Sequence, residues 1–112
     1  MTEISVRLVR RAHGNLTVDQ LEELEIIQLQ RQNIVEIDNL EVFSEIKELH
    51  LNGNKIRRIE NLSFLHKLEF LDLSYNRIDD DGLRACLGQL PRSLMTIVLT
   101  GNPCCHNMEL LG

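Results

Sequence analysis

An α/β solenoid of about four coils, each contributing one short strand, is the fold class predicted for this 112-residue chain. Three observations predict it. A phrase of apolar residues recurs as Leu24, Ile27 and Leu29, then Ile46, Leu49 and Leu51, then Leu68, Leu71 and Leu73, at a step of 22 residues. The same step aligns Gln32, Asn54 and Asn76, then Ile34, Ile56 and Ile78, Ile37 and Ile59, Leu40 and Leu62, and Phe43 and Leu65. Within each unit the apolar spacing changes from two to about three, which separates a strand with alternate side chains inside from a 3₁₀-like or loose helical return.

Units of this length and pattern are leucine-rich repeats. The Leu-x-Leu portion supplies the strand of a short parallel sheet on the concave side. The Asn that follows has a defined task, because its amide can bond backbone groups of the turn and of the neighbouring coil that are otherwise left unpaired inside the solenoid. An orphaned group of that kind costs about 1–3 kcal/mol. Gln32 stands in the Asn position of the first unit, which fits an end coil with a less demanding inner turn.

Residues 1–23 do not follow the repeat and read as an N-terminal helical cap, since an open solenoid end exposes apolar edges that need covering. Thr2 is placed to cap a helix carrying Ile4, Leu8 and Ala12 on one side, with Arg7, Arg10, Arg11 and His13 toward its end and Gly14 closing it. A second helix is expected from Thr17, where Gln20 completes a capping box and Leu21 and Leu24 face inward.

The repeats are expected over 24–45, 46–67, 68–93 and 94–103. In the third unit Asp81 replaces the usual apolar residue, and the run Asp79 to Gly82 reads as a turn into a helix of roughly residues 82–89 with Leu83, Leu87 and Leu90 inside. That unit is four residues longer, Pro91 helps end its helix, and the fourth strand falls at Leu94 to Leu99. Residues 104–112, too short for another coil, read either as a partial C-terminal cap or as the point where a longer protein was cut.

Composition narrows the function. With 43% hydrophobic residues the chain is long enough for one domain burying about 65% of its unfolded surface. A formal net charge of −5 argues against nucleic acid as a partner. No stretch is apolar enough to span a membrane. The first residues lack the apolar core of a secretion signal, and three cysteines are too few for a disulfide scaffold, so the expected compartment is the cytoplasm. No phosphate loop, nucleophile elbow or zinc-protease motif is present, so no catalytic residue, cofactor or metal is assigned. Cys86, Cys104, Cys105 and His106 lack the spacing that lets two thiolates meet one zinc ion. The acceptor-like motifs at Asn15 and Asn61 carry no weight without a secretion signal. The chain alone is expected to be a monomer.

The register also names a surface. Residues between the buried leucines form columns on the sheet: Ile26, Glu48, Phe70 and Thr96; Gln28, His50, Asp72 and Val98; Gln30, Asn52, Ser74 and Thr100, flanked by Arg31 and Tyr75. Phe70 is one of four aromatics in the chain. An aromatic beside Ile26 and Val98, ringed by Glu48, His50, Asp72 and Arg31, has the composition of an interface centre with a polar rim. The expected site is therefore a partner-binding concave face made of Ile26, Gln28, Arg31, Glu48, His50, Phe70, Asp72, Tyr75 and Val98. The plainer reading is that single exposed apolar residues are ordinary. A hydrogen bond between His50 and Asp72 is geometrically open. A second group, Lys55, Arg57, Arg58, Lys67 and Arg77, lies on turns and the outer side and could meet an acidic partner such as a tubulin tail.

The units 24–45 and 46–67 resemble the 22-residue subclass of leucine-rich repeats found in a protein phosphatase regulatory subunit and in an outer-arm dynein light chain. Thr-Glu-x-x-Val-x-x-Val-Arg-Arg at 2–11, Gly-Asn-Lys-Ile-x-x-Ile-Glu-Asn-Leu at 53–62, Leu-Asp-Leu-Ser at 71–74 and Pro-x-Ser-Leu with Leu-Thr-Gly-Asn between 91 and 102 are similar to ciliary and centrosomal members. The resemblance implies a non-enzymatic adaptor or assembly component of a cilium, flagellum or centrosome, with an axonemal, dynein-related or tubulin-related protein partner. The alternative it implies is a regulatory subunit that binds and targets an enzyme such as a protein phosphatase. The Asp-rich break at 79–82 departs from the regular coil of these relatives.

Overall fold

The structure, a computed structural model, describes residues 1–86 and 88–104. Leu87 and residues 105–112 of the expected C-terminal cap, Cys105 and His106 among them, lie outside the described residues, whereas Cys104 is buried in the core. The chain opens with helix α1 (Val6–His13) and helix α2 (Val18–Glu22). The expected cap at Thr2 is corrected: Ser5 caps α1, its hydroxyl accepting the Leu8 N–H at 3.1 Å. Thr2 is engaged elsewhere, because its N–H donates to the Asn33 carbonyl at 3.0 Å and pairs the chain start with Ile34. Pulling Thr2 onto the first coil shifts the helix three residues along. As a result Leu8 and Val9 are buried, Ile4 packs inside from before the helix, and Ala12 is exposed instead of internal. Gly14 closes α1 at φ 100°, and three basic residues fill its last turn. The Thr17–Gln20 capping box of α2 is complete, at 3.2 and 2.9 Å.

Four strands follow, β1 (Ile26–Gln28), β2 (Glu48–His50), β3 (Phe70–Asp72) and β4 (Thr96–Val98), in one parallel sheet of order β1-β2-β3-β4. Pairing aligns Ile27 with Leu49, Leu49 with Leu71 and Leu71 with Ile97, so the step of 22 and the longer final step are both structural registers. The middle residue of each of the first three strands is fully buried, as are Ile34, Ile37, Leu40, Phe43 and their equivalents one coil on. The core is thus a stack of apolar layers, each supplied by one coil and closed by its neighbours.

Asparagine amides tie the coils together. Asn54 Oδ1 accepts from the Gln32 and Ile34 N–H groups at 2.8 and 3.1 Å, and its Nδ2 donates to the Leu29 and Leu51 carbonyls at 2.9 and 2.8 Å. Asn76 and Asn102 repeat this toward Ile56 and Ile78. Every amide reaches back to the preceding coil. Gln32 has no such coil behind it, and its Nε2 donates only to its own turn at Gln30. A second ladder runs on the return side: Asn39 and Asn61, at φ 60° and 59°, donate to the carbonyls of Ile4 and Ile37 at 3.0 and 2.8 Å. Asn tolerates the left-handed region better than other non-glycine residues, so the position selects it twice over. Asn61, part of an acceptor-like motif, is therefore committed to the fold.

Helix α3 (Asp80–Arg84) lies in the third coil. It is shorter and earlier than the expected span of 82–89, because Asp79 acts as its cap, accepting the Gly82 N–H at 2.8 Å. Leu83, Cys86 and Leu90 are partly buried against the core. Gly82 is buried against the Arg57 backbone, and its carbonyl accepts the Ile59 N–H at 3.1 Å. The break at 79–82 is thus a close coil-to-coil contact through a side chain that is missing.

Candidate functional site on the sheet face

Strand alternation sends the residues flanking each buried leucine to the solvent side of the sheet. Ile26, Glu48, Phe70 and Thr96 stand in one row by register, and Gln28, His50, Asp72 and Val98 in the next. Ile26 is 43% exposed, whereas Phe70, His50, Glu48, Asp72 and Val98 are half-buried among one another. The His50 and Phe70 rings lie 5.3 Å apart at 42°, a tilted aromatic contact across two strands. His50 Nε2 is 3.3 Å from Glu48 Oε1.

The His50–Asp72 bond that the register left open does not form. Asp72 Oδ1 instead accepts from the Ser74 N–H at 3.0 Å and the Ser74 hydroxyl at 2.6 Å, a local turn bond that wins by proximity. Ser74 is correspondingly buried and does not belong to the open column where the register put it.

At the far end of the strands a column of left-handed residues turns the chain out of the sheet: Arg31 at φ 55°, Gly53 at 74°, Tyr75 at 56° and Gly101 at 79°. The N–H groups of the first three continue the ladder, Arg31 donating to the Asn52 carbonyl at 3.1 Å, Gly53 to that of Ser74 at 3.0 Å and Tyr75 to that of Thr100 at 2.8 Å. Large residues and glycines alternate for a steric reason. A Cβ on Gly53 would lie 2.9 Å from Arg31 Cγ, and one on Gly101 would strike the Tyr75 ring. Each glycine lets the side chain of the preceding coil lie flat over it, so Tyr75 is held extended at the rim while 64% exposed.

The structure thus brings Ile26, Gln28, Glu48, His50, Phe70, Asp72 and Val98 onto one face and sets Arg31 and Tyr75 along its border. Two residues there escape the sequence reasoning. Met95, 81% exposed, and Glu69 occupy the rim before the strands, both aligned with Glu25 and Lys47 by shared carbonyl bonds. The four-residue lengthening of the third unit hid Met95; counting back from β4 would have found it. Glu25 and Lys47 pair at 3.3 Å. The basic group of the turns is partly neutralised, Lys67 by Glu45 at 2.8 Å and Arg58 by Glu60 at 3.6 Å.

Chemically, the face offers aromatic and aliphatic contact with carboxylates around it. Among the described residues no group of three His, Cys, Asp or Glu is placed to hold a metal ion, and no helix is long and apolar enough to cross a membrane. An open cavity of about 490 Å³ lies away from the sheet between Thr2, Ile4, Val35 and Asn39.

Residues 44–85 match the family described as Leucine Rich repeats (2 copies). The chain is similar to Leucine-rich repeat-containing protein 56 of Rattus norvegicus, 35% identical over 85 residues, which are 76% of this chain and 15% of that protein. It is similar also to Dynein axonemal assembly factor 11 of Danio rerio, 39% identical over 77 residues, 66% of this chain and 17% of that one. Leucine-rich repeat-containing protein 23 of Bos taurus is 37% identical over 75 residues, 65% of this chain and 22% of the relative. The chain therefore spans less than a quarter of the length of the curated relatives it matches. Parallel strands in a register set by the repeat, asparagines bridging each coil to the one before, and this match over the central repeats show that the chain folds as a leucine-rich repeat solenoid and resembles these proteins.

Proposed function

We propose that the chain is a non-enzymatic docking module that holds a protein partner on the solvent face of its sheet. The observation that carries this reading is the His50–Phe70 contact, set between Ile26 and Val98 and bordered by Glu48, Asp72, Arg31 and Tyr75. Interfaces concentrate their binding energy in such half-desolvated aromatic centres with a polar surround. Strand pairing fixes the backbone that carries these side chains, which lowers the ordering cost of binding to a preformed surface.

The likeness to a relative named as an axonemal dynein assembly factor supports an adaptor or assembly role in the cytoplasm and at the cilium, with an axonemal partner. The test is positional. A photocrosslinking residue at Val98, on the face, and another at Val42, 45% exposed on the return side, are placed separately in the full chain in ciliated cells. Adducts from position 98 alone, containing axonemal or dynein components, support the reading. Adducts from position 42 alone overturn the face, and a phosphatase catalytic subunit at position 98 would make the chain an enzyme regulator instead.

A further inference from the structure

The charge around Phe70 is lopsided. Lys47 is matched by Glu25 at 3.3 Å, which leaves Glu48, Glu69 and Asp72 as the carboxylates about the aromatic centre. Glu48 is the direct cross-strand neighbour of Phe70, Glu69 precedes it on the rim, and Asp72 follows two residues along the same strand. Besides the paired Lys47, Arg31 lies on this border, two strands away from Phe70 and over Gly53. A docking face with an apolar centre and an acidic surround rejects acidic partners by like-charge contact and attracts basic ones.

Spacing suggests the partner's shape. Ile26 and Phe70 stand in the same row two strands apart, about 10 Å at the usual strand separation, which matches the separation of side chains at i and i+7 on a helix. Val98 sits one strand further and two residues along, within reach of a third apolar side chain on the same helical stripe. Strand addition is disfavoured at the β1 edge, where the Gln28 N–H is already taken by His13 at 2.9 Å.

We infer that the occupant of this face is a basic amphipathic helix, laid across the strands with its apolar stripe on Ile26, Phe70 and Val98 and its Lys or Arg residues against Glu48, Glu69 and Asp72. This rests on the docking face proposed above and adds the chemistry of the partner.

Fluorescence anisotropy with the full chain tests it, using three synthetic helical peptides of about five turns. One carries Lys and Arg flanking a Leu stripe, one carries Glu flanking the same stripe, and one has the first composition scrambled so that no stripe forms. The basic striped peptide is expected to bind at least about tenfold tighter than either other, with affinity falling as ionic strength rises. The double variant Glu48→Lys, Glu69→Lys is expected to reverse the preference toward the acidic striped peptide. Equal binding of the striped pair, preference for the acidic one, or equal binding of the scrambled peptide overturns the inference. So does a double variant that unfolds like the parent chain and still prefers the basic peptide. If the variant fails to fold, the comparison of the three peptides on the parent chain decides. Crosslinks at position 98 combined with no charge preference would sink the partner chemistry alone, and their absence there would sink the face itself.

Discussion

Nε2 of His13, at the end of α1, accepts the backbone N–H of Gln28 on β1 at 2.9 Å, joining the helical cap to the outer edge of the sheet. An edge N–H left open invites pairing with another chain, and here a side chain fills the place of the missing coil. Accepting at Nε2 requires the neutral ring, and desolvation lowers the His13 pKa below the ordinary 6.5. A depressed folded value means the unfolded chain takes up the proton first as pH falls. The contribution of His13 is then complete above about 6.5 and declines as the pH drops from there through the lowered folded value. The stability difference between the parent chain and His13→Ala, followed by urea unfolding across this range, is expected to shrink with falling pH. A difference constant with pH would refute it.

Gly82→Ala is expected to be among the most disruptive single changes. The added methyl would meet the Arg57 carbonyl, a backbone atom that cannot step aside. A loss of about 3 kcal/mol or more is expected in chemical denaturation. Gly88→Ala, at φ 76° with no heavy atom within 4 Å of the new Cβ, should lose only about 1 kcal/mol, from backbone strain.

Asn54→Ala removes four hydrogen bonds at once and leaves buried partners on two coils. It should cost about 2–4 kcal/mol, because unsatisfied buried groups dominate the balance. Gln32→Ala, in the equivalent position, loses one bond to its own turn and should cost under about 1 kcal/mol. Equal losses in thermal or urea unfolding would show that the ladder is not what holds the coils.

Phe70→Ala and Leu71→Ala are adjacent and point to opposite sides. The first should leave the fold intact and weaken partner binding by about 1–3 kcal/mol. The second should cost about 2–5 kcal/mol of stability, since Leu71 is fully buried. Titration of a partner captured at position 98, together with circular dichroism melts, separates the two effects.

Much of this was readable in advance because a repeat prints its own alignment. Counting by 22 assigns Leu49, Leu71 and Ile56 to the interior and Glu48 and Phe70 to the row outside, and the pairing of β1 to β3 follows that count, with β4 four residues further on. Asn39 and Asn61 were equally visible at the same step, although their amide role was not drawn from it. The helix starts were harder. Thr2 and Ser5 are both competent caps, and the choice fell to Ser5 only because Thr2 is drawn onto the Asn33 carbonyl. Similarly, Asp72 had two partners within reach, and the closer Ser74 took it from His50.

Periodicity determined which apolar side chains of the regular coils face inward and how β1 to β3 stand in line, because burial of one apolar layer per coil leaves a single consistent register. Tertiary structure decided the contacts that join residues far apart in the chain. His13 reaches Gln28, Gly82 abuts Arg57, and Tyr75 lies over Gly101 only once one coil rests on the next. The distances between such groups are set by the stacking of whole coils, which no local window of sequence contains.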